Sequence, residues 1–306
     1  MKNAIIAIDK SKSYRVYIAD TTDMVQQAAD IHDTTPLGTA GLGRVATGAG
    51  LMGIMLKNDS EKLTVNFKGD GPAGQILATA YGDGSVKALI ANPHVDLPLN
   101  EDGKLDVGGS LGIGELTVIK DIGLKEPYIG TIALVDGEIA DDLTAYFYIS
   151  EQQNSSVALG VKVERDLSVG AAGGMIIQML PDAAEGVVDA LEKMLGDMDP
   201  MTTIISRVKA RSAGLSGRGL LQEIMDEIFK DMPEEFQPEI LDTREIKWEC
   251  DCSRERIEAA LATIGSDDLR EIIEEDGQAE LQCHFCLKKY QFNKDELTEI
   301  LERLQH

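Results

Sequence analysis

The chain has 306 residues, enough for one large domain or two to three smaller ones. Hydrophobic residues make up 43% and aromatics only 5%, which implies a core of Val, Ile, Leu and Ala with tight turns drawn from 30 glycines. A net charge of −24 opposes binding to nucleic acid or anionic membrane, because both require a cationic surface to displace counterions.

The acidity is uneven. Residues 1–180 carry 14 Lys and Arg against 23 Asp and Glu, whereas residues 181–306 carry 15 against 30. The first twenty residues include Asp9, Lys10, Lys12 and Arg15 and hold too short an apolar run for a secretory signal. A cytoplasmic protein is expected.

Alternation in AIIAID and YRVYIA predicts two strands within 4–19. Thr21-Thr22-Asp23 supplies capping chemistry for a helix to about Ile31, and Pro36 suits the first position of the next one. That second helix, within 36–56, is long enough to span a membrane, but six glycines, two threonines and Arg44 predict a buried helix of a globular domain. Strands follow at 63–67, 75–82, 86–92, 115–121, 129–135, 145–150 and 156–163, separated by Gly-Asp, Asp-Gly and Asn-Pro turns. Residues 1–180 therefore form an N-terminal α+β domain of mixed sheet and helix.

Near Pro181 the pattern becomes helical, with amphipathic segments through Met232. Seven of the eleven methionines lie between Met175 and Met232. Methionine is unbranched and polarizable and suits either ordinary helix packing or promiscuous apolar contact. Residues 181–240 are expected to be a helical linker, and 241–306 a small C-terminal module.

Two motifs carry no chemistry. Gly69-Asp70-Gly71-Pro72-Ala73-Gly74 matches GxGxxG, but a strand-like QILATAY follows where a dinucleotide site needs a helix. Ser150-Glu151 has no GxSxG turn and no evident base, so a strand-end cap is expected. The histidines His32, His94, His284 and His306 are scattered. No acid–base or nucleophilic constellation is present, and the protein is expected not to be an enzyme.

All four cysteines lie in the module, as Cys250-x-Cys252 and Cys283-x-x-Cys286 separated by thirty residues. Two close pairs joined by a spacer provide a tetrahedral thiolate set, which selects zinc or an iron–sulfur cluster, zinc being favoured. Four thiolates around Zn²⁺ leave a charge of −2, which Arg254, Arg256, Lys288 and Lys289 could offset. Residues 248–306 hold 15 Asp and Glu against 7 Lys and Arg, so so short a segment depends on the metal for its folding. A disulfide across one intervening residue would be strained and labile. Spacing alone leaves a structural zinc ribbon and a redox switch equally open.

The run Cys250-Asp251-Cys252-Ser253-Arg254-Glu255-Arg256, then Cys283-His284-Phe285-Cys286 and Tyr290-x-Phe292, closely resembles the C-terminal signature of the 33 kDa chaperonin family, redox-regulated heat-shock chaperones of bacteria. The likeness extends through HDTTPLGTAGLGR (32–44), KGDGPAGQILATA (68–80), YISEQQNSS (148–156) and AAGGMIIQMLP (171–181). It implies an ATP-independent holdase that captures unfolding proteins during oxidative stress. It further implies one zinc per reduced, inactive chain, and disulfides Cys250–Cys252 and Cys283–Cys286 in an active homodimer that has lost the metal. Two other readings remain, a thiol–disulfide oxidoreductase and a zinc ribbon binding protein or nucleic acid.

Overall fold

In the computed structural model, which describes residues 2–304, the chain divides into two units, one ending at Glu249 and the other beginning at Cys250. The first strands, β1 (Ala4–Asp9) and β2 (Tyr14–Asp20), form a hairpin in the register Ala4↔Ala19. Helix α1 (Thr22–His32) and helix α2 (Pro36–Gly53) follow, the latter opened by Pro36 and by Thr35, whose hydroxyl accepts from the Gly38 N–H at 3.2 Å.

Helix α2 organises the larger unit. Sixteen of its eighteen residues are buried, because both of its sides meet a sheet. One sheet has the order β11-β5-β4-β3-β6-β7, built from β3 (Lys62–Gly69), β4 (Gln75–Tyr81), β5 (Ser85–Ile90), β6 (Gly114–Asp121), β7 (Tyr128–Ala133) and β11 (Lys247–Trp248). The other has the order β10-β1-β2-β9-β8, adding β8 (Ser155–Val163), β9 (Val169–Met179) and β10 (Pro238–Arg244). Small residues along α2 let the sheets approach: a Cβ on Gly43 would stand 2.6 Å from Val25 on α1 and 2.9 Å from Val161 on β8. Apart from the parallel β11–β5 pair, every pairing is antiparallel. The buried-helix reading of 36–56 holds. No helix among the described residues is long and apolar enough to cross a membrane.

The GxGxxG match is packed against the short helix α3 (Val107–Leu111). Gly71 N–H donates to the Leu111 carbonyl and Ala73 N–H to the Ser110 carbonyl, each at 2.8 Å, so the donors a phosphate would need are already occupied. The loop is the β3–β4 hairpin turn.

The strand expected at 145–150 is instead the end of helix α4 (Ala140–Ser150). Tyr, Phe, Tyr and Ile in that segment favour strands, but Asp142 overrides them by accepting the backbone N–H groups of Val135 at 2.6 Å and Ile139 at 3.0 Å. Leu143, Tyr146 and Phe147 then fall on one buried helical face. Ser150 accordingly ends a helix, not a strand.

Residues 181–240 are largely helical and pack within the larger unit. Helices α5 (Val187–Asp197), α6 (Met201–Arg211) and α7 (Arg218–Phe229) cover the face of the five-stranded sheet turned away from α2. Alternation along β2 shows both faces at work: Tyr17 and Ala19 join the α2 core, while Val16 and Ile18 meet the helices. Met175, Met194, Met201, Met225 and Met232 are buried in this second core. The boundary falls after Glu249 instead of 240 because β10 pairs with β1, in the register Ala4↔Arg244 to Asp9↔Pro238, and Ile246 and Trp248 enter the first core.

Glu227 on α7 ties two of these helices together. Its carboxylate pairs with Arg211 on α6, with Arg207 at 3.4 Å, and with Lys230 at 3.5 Å. Donation by Arg211, aided by the Lys230 charge, holds Glu227 below its ordinary value. A carboxyl lowered in this way stabilises the fold above the unfolded-state pKa and loses that contribution as pH falls through the folded-state value. The difference in melting temperature between wild type and Glu227→Gln is therefore expected to be full above pH 4.5 and to shrink on acidification. A difference that does not change with pH would refute the ion-pair account.

Gly84, in the Asp83-Gly84 turn, has φ +88°, and a Cβ there would lie 1.8 Å from the Glu245 carbonyl oxygen. Its own carbonyl accepts Lys247 N–H at 3.0 Å, which starts the β11 pairing. Gly84→Ala should destabilise the larger unit by about 2–4 kcal/mol in chemical denaturation.

Candidate metal centre

The second unit comprises α8 (Arg254–Leu261), α9 (Ser266–Glu275), a hairpin of β12 (Gln278–Gln282) and β13 (Lys289–Asn293), and α10 (Lys294–Leu304). Its apolar core is small, centred on Leu261, Leu269, Ile273, Phe292, Leu297 and Ile300. Cys250 and Cys252 lie in the segment before α8, which Ser253 caps by accepting Arg256 N–H at 3.3 Å. Cys283 and Cys286 lie in the turn of the β12–β13 hairpin, where Cys283 N–H donates to Lys288 O at 3.0 Å and Leu287 N–H to Cys283 O at 2.8 Å.

The two turns converge. All four Sγ atoms lie within 4.8 Å of one another, with Cys250 to Cys283 at 3.7 Å and Cys252 to Cys286 at 3.3 Å. None is in a disulfide. A tetrahedral zinc–thiolate site has bonds of about 2.3 Å and therefore sulfur–sulfur edges of about 3.8 Å. The donor set fits zinc in identity, number and spacing.

Donors surround the sulfurs. The backbone N–H groups of Cys252, at Cys250, and of Lys288, at Cys286, favour ionisation. Burial pushes the Cys250 and Cys286 thiols up all the same. At Cys252 burial also opposes ionisation, but donation from Tyr290 Oη, then from the neighbouring thiols, outweighs it and brings this group below the ordinary thiol range. A cation among the sulfurs would favour the thiolate at every position.

Among the described residues these four are the one group of metal-ligand side chains close enough to share an ion. His284 is exposed and outside the cluster, His32 is buried with Nε2 3.1 Å from the Ala88 carbonyl, and His94 is exposed on a loop. His306 lies outside the described residues. Three flanking cations are committed to carboxylates: Arg254 to Glu296 at 2.6 Å, Lys289 to Glu280 at 2.7 Å, and Arg256 to Asp251. The Cys283-x-x-Cys286 pair occupies a hairpin turn, unlike a thiol oxidoreductase motif at a helix N-terminus. Sequence reasoning named Tyr290 only as part of a signature and did not see its contact with Cys252. The alternation of Tyr290 and Phe292 along β13 was the available signal.

An α+β body followed by a small unit built around four cysteines defines a two-part protein with a thiolate metal module. The family model described as Hsp33 protein matches residues 3–293. A 33 kDa chaperonin of Alkaliphilus oremlandii is 46% identical over 302 residues, covering 98% of this chain and 96% of that protein. One from Clostridium perfringens (strain SM101) is 46% identical over 300 residues, covering 97% and 90% respectively. The crystal structure of the 33 kDa chaperonin (heat shock protein 33 homolog) from Thermotoga maritima superposes with a TM-score of 0.83 at 31% identity, over 99% of each chain. The chain belongs to the Hsp33 family.

Stripping metal from the zinc-loaded protein is expected to unfold residues 250–304 selectively. Amide hydrogen exchange should become fast there and stay slow in the antiparallel strands of the larger unit; unchanged protection in 250–304 would mean the small core suffices alone.

Proposed function

We propose that this protein is a non-enzymatic, ATP-independent holdase of the cytoplasm, held inactive by zinc and activated by oxidation. The observation that carries the proposal is the convergence of four non-disulfide cysteines in a unit with few other sources of stability. Family membership supports the chaperone part.

Cys250, Cys252, Cys283 and Cys286 would hold the metal. When bound, zinc supplies charge neutralisation and a cross-link between the two cysteine turns. A thiolate attacks a peroxide oxygen, the O–O bond breaks, and a sulfenic acid forms as hydroxide leaves. The paired thiolate then attacks that sulfur and expels a second hydroxide, giving a disulfide for each peroxide reduced. Two such reactions yield Cys250–Cys252 and Cys283–Cys286 and consume the whole donor set. The small unit, left without its cross-link, unfolds.

Functionally, residues 1–180 act as the chaperone core, 181–240 as a helical linker and 241–306 as the redox-switch module, with 241–249 also paired into the sheets of the larger unit. Loosening of the linker uncovers the methionine-rich face of α5–α7 and the sheet beneath it as surface for unfolding clients. The oxidised chain acts as a homodimer and does not bind nucleic acid or membrane.

The test is light scattering of a heat-unfolded client with peroxide-treated or dithiothreitol-treated protein, while zinc release is followed with a colorimetric chelator. Suppression of aggregation is expected only after oxidation, in step with zinc loss. Equal protection in both states removes the switch; none in either removes the chaperone.

A further inference from the structure

Cys252 differs from the other cysteines in what lies against its sulfur. Tyr290 points inward from β13, only 6% exposed, with Oη 3.1 Å from Cys252 Sγ and 3.3 Å from the Cys252 carbonyl oxygen. A ligated thiolate has no proton, so the phenol must be the donor. Lys288 Nζ stands 5.2 Å from the Tyr290 ring centroid, and a cation over the ring draws electron density from it and strengthens the O–H as a donor. Cys250 and Cys286, of similar half-buried exposure, lie against other cysteine sulfurs, at 3.7 Å from Cys283 and 3.3 Å from Cys252 respectively.

We infer that Tyr290 is a positioning residue of the redox site, whose hydrogen bond makes Cys252 the least nucleophilic of the three half-buried sulfurs and the last to part from the metal. This rests on the reading of the four cysteines as zinc ligands. A sulfur lone pair engaged by an O–H is less available to an electrophile, so attack begins at Cys250 or Cys286. The second contact, to the Cys252 carbonyl, fixes the backbone of the same residue. Losing the phenol oxygen would release sulfur and backbone together.

Zinc-loaded full-length wild type and Tyr290→Phe provide the test, since this substitution keeps the buried ring and removes only the hydroxyl. Metal content is measured first. Each protein is then treated with limiting iodoacetamide, which forms an S–C bond and releases iodide, and labelling at each cysteine is followed by mass spectrometry. In the wild type Cys252 should react more slowly than Cys250 and Cys286. In Tyr290→Phe it should react roughly tenfold faster, the factor expected for losing one hydrogen bond to a charged acceptor, with the other two changing less than about twofold. Transfer of zinc to a chelator should quicken in parallel. Uniform acceleration of all the cysteines would reduce Tyr290 to a packing residue and overturn the inference, as would no acceleration. Should Tyr290→Phe fail to retain zinc, the wild-type order decides: Cys252 labelling as fast as Cys250 and Cys286 refutes the inference. Wild type isolated without zinc overturns the metal reading itself, an outcome visible before any thiol is labelled.

Discussion

Four sulfur atoms within 4.8 Å of one another cannot all be ionised unless a cation sits among them. The site at the heart of the smaller unit is governed by that constraint. Its helices are short and acidic, its core holds a few aliphatic side chains and two aromatics, and its two cysteine turns lie far apart in sequence. A metal converts mutual repulsion into a cross-link; its loss returns the repulsion or forces the thiols to protonate or oxidise. On the proposed function, such a unit would be stable or unstable according to the chemistry of four atoms.

The larger unit is built on the opposite principle. Helix α2 is enclosed by two sheets and buried chiefly against apolar side chains, with small residues setting the spacing. Its second core, under α5–α7, combines apolar burial with ion pairs between α6 and α7. Ion pairs at half-exposed positions contribute little each, so this layer also rests mainly on apolar burial.

Much of this was legible in the sequence for identifiable reasons. Strands with one face on the core alternate in polarity, as β3 and β6 do, and Pro36 with its trail of small residues marked α2. The cysteine pairs declared themselves by spacing. What stayed hidden depends on contacts remote in the chain. Helix α4 has the composition of a strand and becomes a helix because Asp142 gathers nearby N–H groups. Strand β11 is two residues long and exists only through its pairing with β5. Strand β9, rich in Gly and Ala and buried on both faces, lacks the alternation that reveals β3. The contact of Tyr290 with Cys252 requires the hairpin register that places Tyr290 opposite Leu281.

The stretch from 180 to 237 is bounded by residues fixed in one sheet: Met179 pairs with Tyr14 and Pro238 with Asp9, on adjacent strands. Helices α5–α7 therefore belong to a closed loop, not to a free arm. If they lift from the sheet, both ends remain anchored, and the entropy gained is that of a loop with joined ends, which grows only slowly with length. The detached helices would stay at high local concentration over the surface they had covered. On the proposed function, a client on that surface would compete with an intramolecular lid.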